Sequence, residues 1–197
     1  MKIQICQALI VITLTCTIVV VFCSPAAMSD CDVIPIEKWG DSPSKRKIYL
    51  EKPVKMVVIQ HTVTPECASD VECEKNVNNI RKFQTQNSQF DDIAQSFLVG
   101  GNGKIYEGAG WRVGAHTMGF NDKSISISFL GDFREKLPVP QALQAAKNFL
   151  SCSAENKDLD KEYHLIGHMQ LSPTLSPGAV LQREIETWPH WYNISRN

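Results

Sequence analysis

The chain has 197 residues, 43% hydrophobic and 21% charged, the profile of an ordinary globular protein of about one domain rather than a disordered or fibrous one. Twenty Lys and Arg against 21 Asp and Glu give a formal charge of −1, so no surplus of positive charge is available to hold nucleic acid by its phosphates. The seven cysteines are an odd number, which in an oxidising compartment would leave a free thiol.

Lys2, an apolar stretch from about Ala8 to Val21, and the small residues Cys23, Ser24, Ala26 and Ala27 have the layout of a secretory signal peptide spanning 1–23, with the cut after Cys23 or nearer Ala27. A membrane anchor fits less well, because no basic stop-transfer flank and no second long apolar run follow, so the expectation is a secreted protein without a membrane span. Cleavage would remove Cys6, Cys16 and Cys23 and leave Cys31, Cys67, Cys73 and Cys152. Four cysteines most simply form two disulfides, and three pairings are open. The short spacing of Cys67 and Cys73 suits a local loop, which would leave Cys31 for Cys152. A zinc ribbon is disfavoured because no C-x2-C pair is present.

Along the remaining chain, Lys55 to His61 forms a β-branched run behind Pro53 and predicts a buried central strand. Val77, Ile80 and Phe83 recur at helical spacing behind Ser69, which predicts a helix to about Asn87. Ser96–Gly100 and Lys104–Glu107 flank Gly101-Asn102-Gly103, a hairpin in which the Asn-Gly pair would supply positive φ angles. Ser124 to Leu130 alternates isoleucine and phenylalanine with serine, the signature of a half-buried strand. A helix from about Pro140 to Ala154, a short strand around His164 to Gly167 and a helix from about Gly178 to Thr187 follow. Strands and helices interleave without repeats, so the fold class is α/β: one domain over residues 31–191, with a central mixed sheet flanked by helices. A short tail, 192–197, carries the glycosylation sequon Asn193-Ile194-Ser195.

His61 closes one buried strand and His168 another, the strand ends that line ligand crevices in α/β folds. Around them stand Val57-Val58-Ile59-Gln60-His61-Thr62, Asp92-Ile93-Ala94-Gln95-Ser96-Phe97, Tyr106-Glu107-Gly108-Ala109-Gly110-Trp111 and Gly114-Ala115-His116-Thr117. Gly167-His168-Met169-Gln170, Ser176-Pro177-Gly178 and Trp188-Pro189-His190-Trp191 complete the series. In order and spacing, from Cys31 to Trp191, these motifs resemble the peptidoglycan recognition proteins, a family related to zinc N-acetylmuramoyl-L-alanine amidases.

The resemblance implies a mixed sheet with about three helices, a groove for muramyl peptide, and a bridge between Cys67 and Cys73 beside it. Amidase members hold zinc with histidines matching His61 and His168 and a cysteine at the position of Ser176, assisted by a tyrosine at the position of Gln95. A serine hydroxyl is a rare zinc ligand, whereas a cysteine binds as thiolate. Without well-held zinc nothing lowers the pKa of the attacking water, so the site is expected to hold no zinc and to lack amidase activity. Ser176 with His168 as nucleophile and base lacks a third member to orient the histidine, and Ser176 can simply cap the helix that follows.

The resemblance places ligand contacts at His61, Thr62, Gln84, Gln89, Phe90, Gln95, Ala109, Trp111, His116 and Ser176, amide, hydroxyl and imidazole groups suited to a lactyl-peptide backbone with Phe90 against an aliphatic stem residue. Phe90 would alternatively pack in the core at the helix-to-strand corner. Relatives that prefer diaminopimelate-type peptidoglycan carry a Gly-Trp pair at 89–90 and an arginine at 109. Here Gln89-Phe90 and Ala109 stand instead, which implies the lysine type, with Arg112 the one nearby substitute. The expected whole is a non-catalytic, extracellular haemolymph receptor of the short insect type. It would act upstream of the Toll pathway in defence against Gram-positive bacteria, with a Gram-negative-binding-type protein and a serine protease cascade as partners; the alternative is a zinc amidase or weak hydrolase that degrades peptidoglycan.

Overall fold

A computed structural model describes residues 8–9, 20–21, 30–88 and 90–194. Apart from a two-residue ladder between Ala8–Leu9 and Val20–Val21, residues 1–29 lie outside the described residues, and with them the expected leader and its cleavage site; so do Gln89 and Ser195 of the sequon.

From Asp30 onward the elements are strand β1 (Val33–Ile34), helix α1 (Ile36–Trp39), β2 (Val54–His61), α2 (Asp70–Asn87), β3 (Phe97–Val99), β4 (Ile105–Glu107) and β5 (Ile125–Phe129). Helix α3 (Pro140–Glu155), β6 (Leu159–Gly167), a 3-10 turn (His168–Gln170) and α4 (Ala179–Ile185) complete the order. The six strands form one mixed sheet in the order β1-β4-β3-β5-β2-β6, in which only the β3–β4 hairpin is antiparallel.

The local chemistry explains the boundaries. Helix α2 begins with a capping box: the Ser69 hydroxyl accepts from the Glu72 N–H, and the Glu72 carboxylate accepts from the Ser69 N–H. Helix α3 starts on Pro140, whose fixed φ suits a first turn and whose missing N–H would be unpaired there anyway. Before α4, Gly178 sits at φ +100°, and a β-carbon there would lie 2.3 Å from the Phe133 carbonyl, so glycine lets the 131–134 loop pack directly on the helix start.

Period-two alternation sorts the sheet into two cores. Val57, Ile59, Phe97, Val99, Ile125 and Ile127 meet Ala142, Ala146, Phe149 and Leu150 of α3 and Leu181 and Ile185 of α4. On the opposite face Leu98, Tyr106 and Leu130 meet Ile36 and Trp39 of α1 and Cys73, Val77 and Ile80 of α2. Disulfides join Cys31 to Cys152 and Cys67 to Cys73. Among the described residues, no helix is long and apolar enough to cross a membrane.

Four expectations change. The hairpin needs positive φ only at Gly103, not at Asn102. Strand β5 is buried on both faces: Ser124, Ser126 and Ser128 are fully enclosed rather than solvated. Ser126 and Ser96 exchange main-chain to hydroxyl hydrogen bonds, and Ser128 donates to Gln60 Oε1, so the serines form a polar layer within the protein. Strand β6 begins at Leu159, five residues earlier than expected, because as an edge strand it accommodates the charged Asp160, Lys161 and Glu162, which blunt the edge against pairing. Phe83 leaves the buried stripe of α2 and is 60% exposed.

Candidate functional site

Strands β2, β5 and β6 run parallel, so their carboxyl ends gather at one edge of the sheet and deliver His61, the 131–134 loop and His168 to the same place. The polar layer beneath continues toward this edge, where Gln60 Nε2 donates to the His116 carbonyl and the Thr117 hydroxyl. Above it opens a cavity of about 340 Å³ lined by Gln60, His61, Gln84, Phe90, Gln95, His116, Arg134, His168 and Ser176 among others. A second hollow of about 590 Å³, flanked by Thr62, Thr64, Phe83, Gln84, Phe90 and Gln95, shares Gln84, Phe90 and Gln95 with it, which makes one groove with two lobes.

The side chains are held in specific states. His61 Nδ1 accepts from the Phe133 N–H at 3.1 Å, which leaves its proton on Nε2, and the His61 N–H donates to Ser176 Oγ at 3.2 Å. Gln84 accepts the Ala94 N–H and donates to Gln95 Oε1, so the Gln95 carbonyl is fixed inward and its NH2 group remains to meet a ligand carbonyl. Phe90 is 37% exposed and shared by both lobes, a wall rather than a core residue. Val63, at φ +53°, is a β-branched residue in a left-handed conformation, held by its N–H to the Gly131 carbonyl and by the adjacent Thr62–Thr64 hydroxyl pair.

The family model for N-acetylmuramoyl-L-alanine amidase matches residues 50–179. A peptidoglycan recognition protein of Trichoplusia ni is 44% identical over 163 residues, covering 82% of this chain and 90% of the relative. The chain belongs to the peptidoglycan recognition protein family. Bumblebee peptidoglycan recognition protein SA superposes with a TM-score of 0.79 at 41% identity, covering 81% of this chain and 96% of that one. Peptidoglycan recognition protein LE, in complex with tracheal cytotoxin, a monomeric diaminopimelic acid-type peptidoglycan, superposes with a TM-score of 0.80 at 41% identity over 83% and 97% of the two chains.

Of the groove residues that membership in the peptidoglycan recognition proteins suggested, His61, Gln84, Phe90, Gln95, His116 and Ser176 meet in the first lobe, with Thr62 in the second. Two do not belong. Ala109 is fully buried, its N–H bonded to the Gln95 carbonyl. Trp111 packs between Phe97 and Phe149 under Lys52, on the α3 side of the sheet, because its large apolar surface joins the core. His116 contributes a ring face rather than polar atoms, since Nδ1 takes the Thr117 hydroxyl and Nε2 donates to the Ser124 carbonyl. Arg112 is tied to Glu107 at 3.0 Å and stacked over Tyr49, outside the groove lining. Sequence reasoning passed over Arg134, Leu175 and Phe83; Arg134 follows a parallel strand's carboxyl end, a signal that was present.

The donor set does not fit zinc as peptidoglycan recognition amidases hold it. A metal-bound imidazole donates its second N–H outward, but His61 accepts at Nδ1 and carries its proton on Nε2, so neither nitrogen offers a lone pair. Ser176 presents a hydroxyl, leaving His168 as the one groove imidazole whose nitrogens make no hydrogen bond among the described residues. Nor is Ser176 poised as a nucleophile, because its hydroxyl meets the His61 main chain and not an imidazole.

Burial pushes all three histidine pKa values down, His116 to about 4, while Asp132 pulls His61 partly back. A histidine neutral in the fold but protonated when unfolded stabilises the native state above its unfolded pKa. Stability should therefore fall as the pH drops from about 6.5 toward about 4. Urea midpoints measured across this window should decline, and His116→Gln should flatten the slope.

Proposed function

We propose that this chain is a secreted receptor that binds peptidoglycan muropeptides in its groove without hydrolysing them, prefers the lysine type, and acts upstream of the Toll pathway in defence against Gram-positive bacteria. The observation that carries the non-catalytic reading is the state of the His61–Ser176 corner: a hydroxyl in place of a thiolate, and an imidazole whose lone pair is spent on the Phe133 N–H. Hydroxide formation at neutral pH has no support there. Binding does, because the walls combine amide donors with the exposed aromatic face of Phe90. The likeness to SA-type insect relatives supports the immune setting, with a Gram-negative-binding-type protein and a serine protease cascade as the proposed partners.

The lysine preference rests on the corner around Ala109. That residue is enclosed, and Arg112 is committed to Glu107 and Tyr49, so the extra carboxylate of diaminopimelate would find no guanidinium there. Calorimetric titrations with matched lysine-type and diaminopimelate-type muropeptides should show about tenfold or more tighter binding of the former. Equal or reversed affinities would contradict the preference, and no binding by either would contradict the receptor reading.

A further inference from the structure

Among the residues that line the two lobes of the groove, Arg134 is the one with a permanent charge. The others are amides, hydroxyls, aliphatic and aromatic groups, and three imidazoles that burial disfavours charging. The rest of the lining is uncharged, so the one anion that competes for this cation is the adjacent Asp132, outside the lining.

The guanidinium is oriented rather than consumed. Nε and Nη2 face the Asp132 carboxylate, with Nε at 2.9 Å and 3.0 Å from its two oxygens, and Nη1 makes no hydrogen bond among the described residues. Its side chain is half exposed and stands beside His61, Leu175 and Ser176. An exposed Arg–Asp pair contributes little to stability, so its retention at the groove is better read as holding a planar donor fork in place. The main chain beneath is fixed as well, since the Phe133 N–H is bonded to His61 and Gly178 packs on the Phe133 carbonyl.

We propose that Arg134 is a specificity-determining residue that takes a carboxylate of the ligand's stem peptide through its outward N–H edge. This rests on the receptor reading and adds the chemistry of one end of the ligand: a backbone carboxylate common to lysine-type and diaminopimelate-type stems lies toward Ser176 and Leu175. Amidation of that carboxylate removes the charge and turns an acceptor toward a cation into a weaker dipole, which the groove then discriminates against.

The test uses N-acetylmuramyl tetrapeptides of the lysine type in three forms: all carboxylates free, the second residue's α-carboxyl amidated, and the C-terminal carboxyl amidated. The protein should bind one of the amidated forms about tenfold more weakly than the free form. Arg134→Gln should weaken the free form by a similar factor and erase the difference, while Arg134→Lys, which keeps the charge without the fork, should fall between. Because the side chain is half exposed, thermal unfolding of both variants should match the parent. Equal binding of all three forms by the parent, or undiminished discrimination in Arg134→Gln, would overturn the assignment. So would a dependence on Arg134 seen only with a diaminopimelate-type tetrapeptide. If none of the forms binds the parent, the receptor reading itself fails.

Discussion

Asp92→Asn should lower the free energy of unfolding by about 3–5 kcal/mol, because it leaves a buried guanidinium without its counter-charge. Asp92 is fully enclosed, and each carboxylate oxygen accepts two hydrogen bonds: Oδ1 from Arg81 Nε at 2.7 Å and the Ile93 N–H at 2.8 Å, Oδ2 from Arg81 Nη2 at 2.9 Å and the Lys45 N–H at 2.8 Å. Arg81 also donates to the carbonyls of Ser42 and Pro43. One ion pair thus fastens the end of α2, the start of the β3 segment and the strand-free stretch around residues 42–46, three parts with no ladder in common. Burial alone would push the Asp92 carboxyl up, but Arg81 and the two N–H groups outweigh it and hold the pKa below the ordinary carboxylate range. A depressed carboxylate stabilises the fold above its unfolded pKa, so this contribution disappears as the pH falls through the acid range below about 4. Chemical denaturation of Asp92→Asn at neutral pH should show the full loss, and its acid limb should be shallower than the parent's. A change below about 1 kcal/mol would mean that the pair does not fasten these three parts.

Removing the Cys31–Cys152 bridge should cost about as much. Its ends are 121 residues apart, against 6 for Cys67–Cys73. The chain-entropy cost of closing those loops in the unfolded state predicts about 5 kcal/mol for the long one and about 2 kcal/mol for the short one. The double variant Cys31→Ser/Cys152→Ser should therefore unfold at markedly lower denaturant than Cys67→Ser/Cys73→Ser. It should also speed hydrogen exchange in β1, whose two residues pair only with β4 and lie next to the bridge. The reverse order would show that local packing at the short bridge outweighs loop entropy.

Much of this architecture was legible in the residues because propensity and burial agreed. Ser69 marked the start of α2, Pro140 that of α3, and the β-branched run ending at His61 the central strand, each boundary falling within a residue or two of expectation. Where the reading failed, a second partner was hidden. The serines of β5 read as a solvated face because sequence does not show Ser96 and Gln60 waiting across the sheet. Phe83 read as core because it repeats the spacing of Val77 and Ile80, yet it lies off the buried stripe of α2 and lines the second lobe instead. Trp111 lies in the same motif as Ala109 but answers to the aromatic pair Phe97 and Phe149 instead of the groove. Arg134 follows the carboxyl end of β5 in sequence, but only the convergence of strand ends places it at the groove.

The proposed function requires that this groove bind muropeptide and leave it intact. The most direct measurement follows one sample of protein, lysine-type N-acetylmuramyl tetrapeptide and added zinc, by calorimetry for binding and by mass spectrometry for the ligand's fate. Saturable binding with the N-acetylmuramyl tetrapeptide recovered whole is the expected result. Release of free stem peptide from the lactyl group at a rate that depends on the protein would contradict it, and would return the His61–Ser176 corner to the chemistry of a hydrolase.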